Sequence, residues 1–162
     1  GFRRCDAAVR GLTLHGAPHM TTPWNPSLMI AAALNAIAAL LHVGCIVFGA
    51  SWYRFFGAGE RMARLAEAGD WRPNVVTGGI VVVLSVWALY ALSGAGAIRA
   101  LPLLRIGLCV ITAVYALRGV AGLWYAAFGA GADAAFWWWS SAICLAFGIA
   151  HAIGLAQVWS RL

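Results

Sequence analysis

Arg118 and His42 are the side chains in this sequence best suited to chemistry, because each stands alone in a long stretch that otherwise carries no charge. Arg118 is the only charge between Ile106 and Ala132, and His42 is the only basic or acidic side chain between Ser27 and Ala50. An arginine away from the ends of an apolar helix costs at least ~2.5 to 3.5 kcal/mol on insertion scales, so it demands partners or water. On a helical wheel Tyr115, Gly122 and Tyr125 fall near its face, which puts two phenol hydroxyls and a gap beside the guanidinium. Arg118 lies about 9 residues before the end of its stretch and His42 about 8 before the end of its own, so both sit roughly 12 to 14 Å from the same rim. Asn35, seven residues before His42, shares its face, and Ser85 in the antiparallel second stretch reaches a similar depth. Arg118, His42, Tyr115, Asn35 and Ser85 therefore form a candidate ligand-binding pocket for an anionic or hydrogen-bonding ligand, with an imidazole able to titrate. The structural alternatives are an Arg118 that snorkels toward Trp124 and orients its helix, and a His42 that only satisfies a local hydrogen bond.

The elements that must position these groups are four long apolar stretches with little charge, expected over about 27–50, 74–98, 104–128 and 134–160. A helix needs ~20 apolar residues to cross a ~30 Å hydrocarbon core, and lipid offers the backbone no hydrogen-bond partner, so each stretch must be a helix. The expected fold class is all-α: a polytopic membrane protein, a four-transmembrane-helix bundle over 27–162 with a short interfacial helix in the first loop, preceded by a mobile tail over 1–26. Composition agrees, since 63% of residues are hydrophobic and 10% charged where a soluble domain carries roughly 25% charged. Asn25 is placed to cap the first helix, with Pro26 at its first position. In the first loop Glu60 and Arg64 stand at i and i+4, and Met62, Leu65 and Ala66 share an apolar face, which predicts a helix on the membrane surface ending at Gly69. Residues 1–19 lack the apolar central region of a signal peptide and read as lying outside the folded unit.

The net charge of +6 comes from arginine alone, because the chain has no lysine. That balance suits anionic membrane lipids as partners, and the clustered basic surface that nucleic acid requires is missing. The arginine- and alanine-rich, lysine-free composition points to a GC-rich bacterial gene. Counting the tail, six arginines against four put both termini in the cytoplasm, the expected orientation, whereas counting from Met20 gives three against four. Cys45, Cys109 and Cys144 fall one per span with no Cys-x-x-Cys, and read as small apolar packers. No cofactor and no metal site is expected. His42 and His151 differ in depth by about 9 Å, too much for a bis-histidine haem, and no carboxylate lies inside a span. In the fourth span Ala142, Ala146, Ala150 and Gly154 form a ridge of small residues expected to contact another helix, within the chain, in a homo-oligomer or in a larger membrane complex.

From His42 through Trp52-Tyr53-Arg54-Phe55-Phe56-Gly57-Ala58-Gly59-Glu60 and on through the four spans, the chain resembles small uncharacterised four-helix inner-membrane proteins of bacteria. The resemblance implies an inner-membrane bundle and transfers no catalytic residue. Size and span count are also similar to the glutathione-dependent membrane enzymes of the MAPEG class, but Pro73-Asn74-Val75-Val76-Thr77 lacks the acidic and basic ligands that class places there. The leading functional expectation is a protein that binds or passes a small solute or lipid headgroup through the polar pocket. An accessory subunit docking through the Ala142–Gly154 ridge is the alternative. A membrane enzyme acting on a lipidic substrate ranks last, because no carboxylate stands near His42 and Arg118.

Overall fold

The computed structural model describes residues 24–129, 131 and 134–162; the first 23 residues of the expected tail, and Asp133, lie outside the described residues. Numbered in chain order, the helices are α1 Pro26–Phe48, α2 Ala50–Phe55, α3 Glu60–Glu67, α4 Arg72–Ala95, α5 Leu104–Phe128 and α6 Ala134–Val158. A 3-10 turn, Trp159–Arg161, follows α6. Helices α1, α4, α5 and α6 are 23 to 25 residues long and apolar enough to cross a bilayer. At 1.5 Å per residue each reaches ~35 Å, more than the ~30 Å hydrocarbon core.

Local chemistry sets the ends of these helices. The Asn25 side chain accepts from the Leu28 amide at 2.9 Å and donates to Gln157 Oε1 at 2.8 Å, while its backbone amide donates to Ala95 O at 2.9 Å. One residue thus caps α1 and ties it to the ends of α4 and α6. The second span stops short of the expected 74–98, because Gly96 takes the left-handed conformation (φ +82°) and closes α4. Where the sequence predicts one short helix in the first loop, the structure has two. Gly49, Gly57 and Gly59, all at positive φ, break the chain on either side of α2.

The bundle is built from two antiparallel pairs. Helix α1 packs most extensively on α4 and α5 on α6; α1 also lies along α6, and α4 touches α5 and α6 only sparsely. Small residues permit the close contacts. A Cβ at Gly154 would lie 2.5 Å from Leu28 Cγ, and one at Gly148 would press on Tyr115. The inward line of α6 is Ser141, Gly148, His151, Gly154 and Val158. Of the small-residue ridge expected from the sequence, Gly154 is buried and Ala150 half-buried against Ala31, Ala32 and Ala91, whereas Ala142 and Ala146 are exposed.

Polarity is arranged from the inside out. Leu40 and Leu117 are each 69% exposed, while Asn35, Ser141 and His151 are 0% exposed. Water would penalise such a surface and lipid favours it, because in lipid the polar groups are the ones that must find partners within the protein. Gly154→Val should lower the thermal midpoint of the detergent-solubilised protein by the equivalent of about 1–3 kcal/mol through overpacking on Leu28. Ala146→Val, on the exposed face, should leave it nearly unchanged; equal effects would mean that α6 presents a different face inward.

Candidate functional site

Arg118 leans across the α5–α6 seam. Its Nη1 donates to Ser141 Oγ at 3.3 Å and its Nη2 to Ser140 Oγ at 3.2 Å. The guanidinium carbon stands 4.7 Å from the Trp137 ring centroid, and Tyr125 meets the same indole edge-on at 4.9 Å. Gly122 makes room for this, since a Cβ there would overlap Ser141 Oγ and Arg118 Nη1. The charged head is therefore level with Gly122, one turn nearer the rim than its own Cα. Among the described residues no carboxylate lies within ion-pair distance of Arg118. Among the described residues its charge is met by two neutral hydroxyls and the face of an indole, which leaves donors available to an anion.

Beside Arg118 the bundle holds a cavity of about 510 Å³. Ala38, Leu84 and Tyr115 line its deep end; His42, Ile80 and Phe147 line its sides. Phe56, Ala58 and Met62, from the α2–α3 segment, line it toward the rim together with Phe136. His42 Nδ1 lies 2.7 Å from Ala38 O. A carbonyl only accepts, so the ring proton sits on Nδ1, and Nε2 has no hydrogen-bond partner among the described residues. Arg118, His42 and Tyr115 of the five pocket residues expected from the sequence thus line one cavity.

Asn35 and Ser85 lie elsewhere. Asn35 is fully buried on the far side of Tyr115: its Oδ1 accepts from Tyr115 Oη at 2.6 Å, and its Nδ2 donates to Ala31 O at 2.8 Å and to His151 Nε2 at 3.3 Å. His151 Nδ1 lies 2.8 Å from Phe147 O, which fixes the proton on Nδ1 and leaves Nε2 to accept from Asn35. Asn35, Tyr115 and His151 join α1, α5 and α6 in a closed network with no buried side-chain polar atom unsatisfied among the described residues. Tyr115 gives its hydroxyl to this network and only its ring to the cavity. Ser85 is exposed on the outer face of α4. Sequence reasoning missed Ser140, Ser141 and Trp137 as the partners of Arg118. The signal was depth, because the serines lie about as far from the start of α6 as the guanidinium does from the end of α5.

The α2–α3 segment is pinned over the cavity at several points. Tyr53, 2% exposed, bonds Thr77 Oγ1 of α4 at 3.0 Å, Trp52 stacks on Phe48 at 4.6 Å, and Phe136 lies close over Gly57. Arg54 grips α3 by bonding Glu60 Oε1 at 2.9 Å and Glu67 Oε1 at 2.6 Å. It takes the place of the Glu60–Arg64 pair expected from their spacing. Hydrogen bonds from Arg54 hold both carboxyl groups below their ordinary range, and the two carboxylates push the guanidinium up.

Four long helices with an apolar outer surface, whose few buried polar groups are paired within the bundle, define an integral, multi-pass membrane protein of the helical-bundle class. No protein-family model matches the chain, and neither a curated protein nor a solved structure does.

Two outcomes follow from these contacts. Asn35→Ala should destabilise the detergent-solubilised protein more than Tyr115→Phe, at roughly 0.6 to 2 kcal/mol per interhelical bond lost, with thermal unfolding as the readout. Equal effects would mean that the Asn35–His151 contact contributes nothing. Because the Glu60 and Glu67 pKa values are depressed in the folded state, their contribution to α3 is present above about pH 4.3 and disappears as pH falls through the lowered values. Protection of the α3 amides relative to intrinsic exchange should hold from neutral pH down to the ordinary carboxylate range and decline as pH falls through the lowered values. In Arg54→Gln it should be weak at every pH, and a step surviving in that variant would place the titration on other groups.

Proposed function

We propose that this membrane protein handles a ligand: it binds or passes a small solute or lipid headgroup through the roofed cavity, with Arg118 and His42 as its polar contacts. The observation that carries the reading is the placement of Arg118, a cation with no carboxylate neighbour among the described residues, in the wall of a cavity of about 510 Å³. Ligand sites are typically concave, ~300–1,000 Å³ and mostly apolar with a few convergent polar groups, and this cavity fits that description. His42 Nε2 adds an acceptor opposite in character to the donors of Arg118, so a ligand bearing both an anion and a hydroxyl matches the pair. The lysine-free, arginine- and alanine-rich composition supports the inner membrane of a bacterium as the location, and the arginine count supports cytoplasmic termini.

A second reading, a subunit of a larger membrane complex, draws on the exposure of Ala142 and Ala146, which permit close approach of a helix from outside the chain. Native mass spectrometry of the protein released in mild detergent separates the two. The ligand-handling reading expects a discrete small-molecule adduct that is lost in Arg118→Gln while helicity is retained. A stoichiometric second polypeptide, with no small adduct, would favour the subunit reading, and a bare chain under all conditions would overturn ligand handling.

A further inference from the structure

The cavity and the outer surface share one charged side chain. Arg118 lines the internal cavity and also a shallow groove of about 290 Å³ on the outer side of the α5–α6 seam, together with Ala121, Gly122, Tyr125 and Trp137. Ala121 is exposed and Tyr125 is 40% exposed, so this groove faces the surroundings of the bundle, which for these helices is lipid. The guanidinium is level with Gly122, six residues before Phe128, hence ~9 Å below the end of α5. Since α5 is longer than the hydrocarbon core is thick, that depth lies a few ångströms under the headgroup layer. Toward the aqueous rim the cavity is lined by Phe56, Ala58 and Met62, with Arg54 bonded to Glu60 and Glu67 of α3.

The walls add a second constraint. Ile80, Leu84, Ile143 and Phe147 run along the cavity and its lining is predominantly apolar, with its charge confined to Arg118. Thr77, which also lines it, already bonds Tyr53. A hydrophilic solute filling this volume would leave most of its polar surface facing hydrocarbon without a partner. A molecule with one apolar chain and one charged end would match both parts of the lining.

We propose that the ligand is a single-chain amphiphile with an anionic head, carboxylate or phosphate, whose head meets Arg118 and whose chain lies in the cavity. This rests on the ligand-handling reading above and names its ligand class. The head supplies the anion that no described residue offers Arg118, with charge-assisted bonds from the donors that Ser140 and Ser141 leave free. Burial of the chain supplies most of the affinity, and the charge supplies selectivity.

The test is a binding titration of the full chain in non-ionic detergent, read by native mass spectrometry. The probes are oleate, 1-oleoyl-lysophosphatidate, monoolein with the same chain on a neutral head, and acetate and inorganic phosphate as heads without a chain. One-to-one adducts of an anionic amphiphile are expected at concentrations at least about tenfold below monoolein, with none for acetate or phosphate. Comparison of oleate with lysophosphatidate reads whether the head is a carboxylate or a phosphate. In Arg118→Gln the preference for the anion over monoolein should fall to about one while monoolein binding persists, and Arg118→Lys should restore most of it. Ala38→Trp, which fills the deep end, should weaken both chains alike. Equal binding of monoolein and the anions, or an anion preference unchanged in Arg118→Gln, overturns the proposal. Acetate or phosphate binding as well as the amphiphiles also overturns it, while leaving a small-anion site and the broader reading intact. No binding of any probe overturns both.

Discussion

A buried amide in a bilayer has no water to turn to, so Asn35 must be satisfied by the helices around it, and that requirement sets the geometry of the bundle. Both of its donors and its carbonyl oxygen are engaged, by Ala31 in its own helix, by His151 of α6 and by Tyr115 of α5. These bonds hold three helices at one depth. Asn25 performs a comparable task at one rim, where it ties α1 to the ends of α4 and α6. Helix α4 meets α5 through Trp87 on Tyr115 and Tyr90 on Gly107, in the half nearest their short connection. The cavity takes up the other half.

Hydropathy made the four spans legible in the sequence, because a bilayer demands length and apolarity and little else. The convergence of Arg118, His42 and Tyr115 was also legible, since depth along a straight helix is simple arithmetic. Rotation about the helix axis was not. In a helix apolar on nearly every face, sequence does not say which side turns inward, and Ser85 and Ala142 were assigned to faces that the structure leaves exposed. The better guide on α6 was polarity: Ser141 and His151 must turn inward in lipid, and they carry Gly148 and Gly154 with them. Asn35 illustrates the same lesson in depth. Lying about 10 Å deeper than His42, it falls level with His151 and not with the cavity.

The roof is a different kind of structure from the spans. Helices α2 and α3 are short, and their hold depends on Arg54 bridging two exposed carboxylates, on the Tyr53–Thr77 bond and on Trp52 stacked against Phe48. Exposed ion pairs are weak and screened by salt, whereas the network below is buried and closed. The molecule therefore couples a firm floor to a cover held by interactions that solvent can compete for. Arg118 stands between the two, on a seam where α5 and α6 pack through Gly119, Gly122 and Gly148.

A hollow that reaches partway through a membrane protein is a hazard to the membrane itself, because an incomplete barrier shortens the path over which an ion must shed its water. Here the wall of the hollow carries a permanent positive charge, and no described carboxylate neutralises it. In a medium of low polarity that charge raises the energy of any proton or sodium ion that enters, in the way that arginines guard water-conducting pores. A cation entering the hollow would meet the Arg118 guanidinium in its wall, with no described carboxylate to offset it.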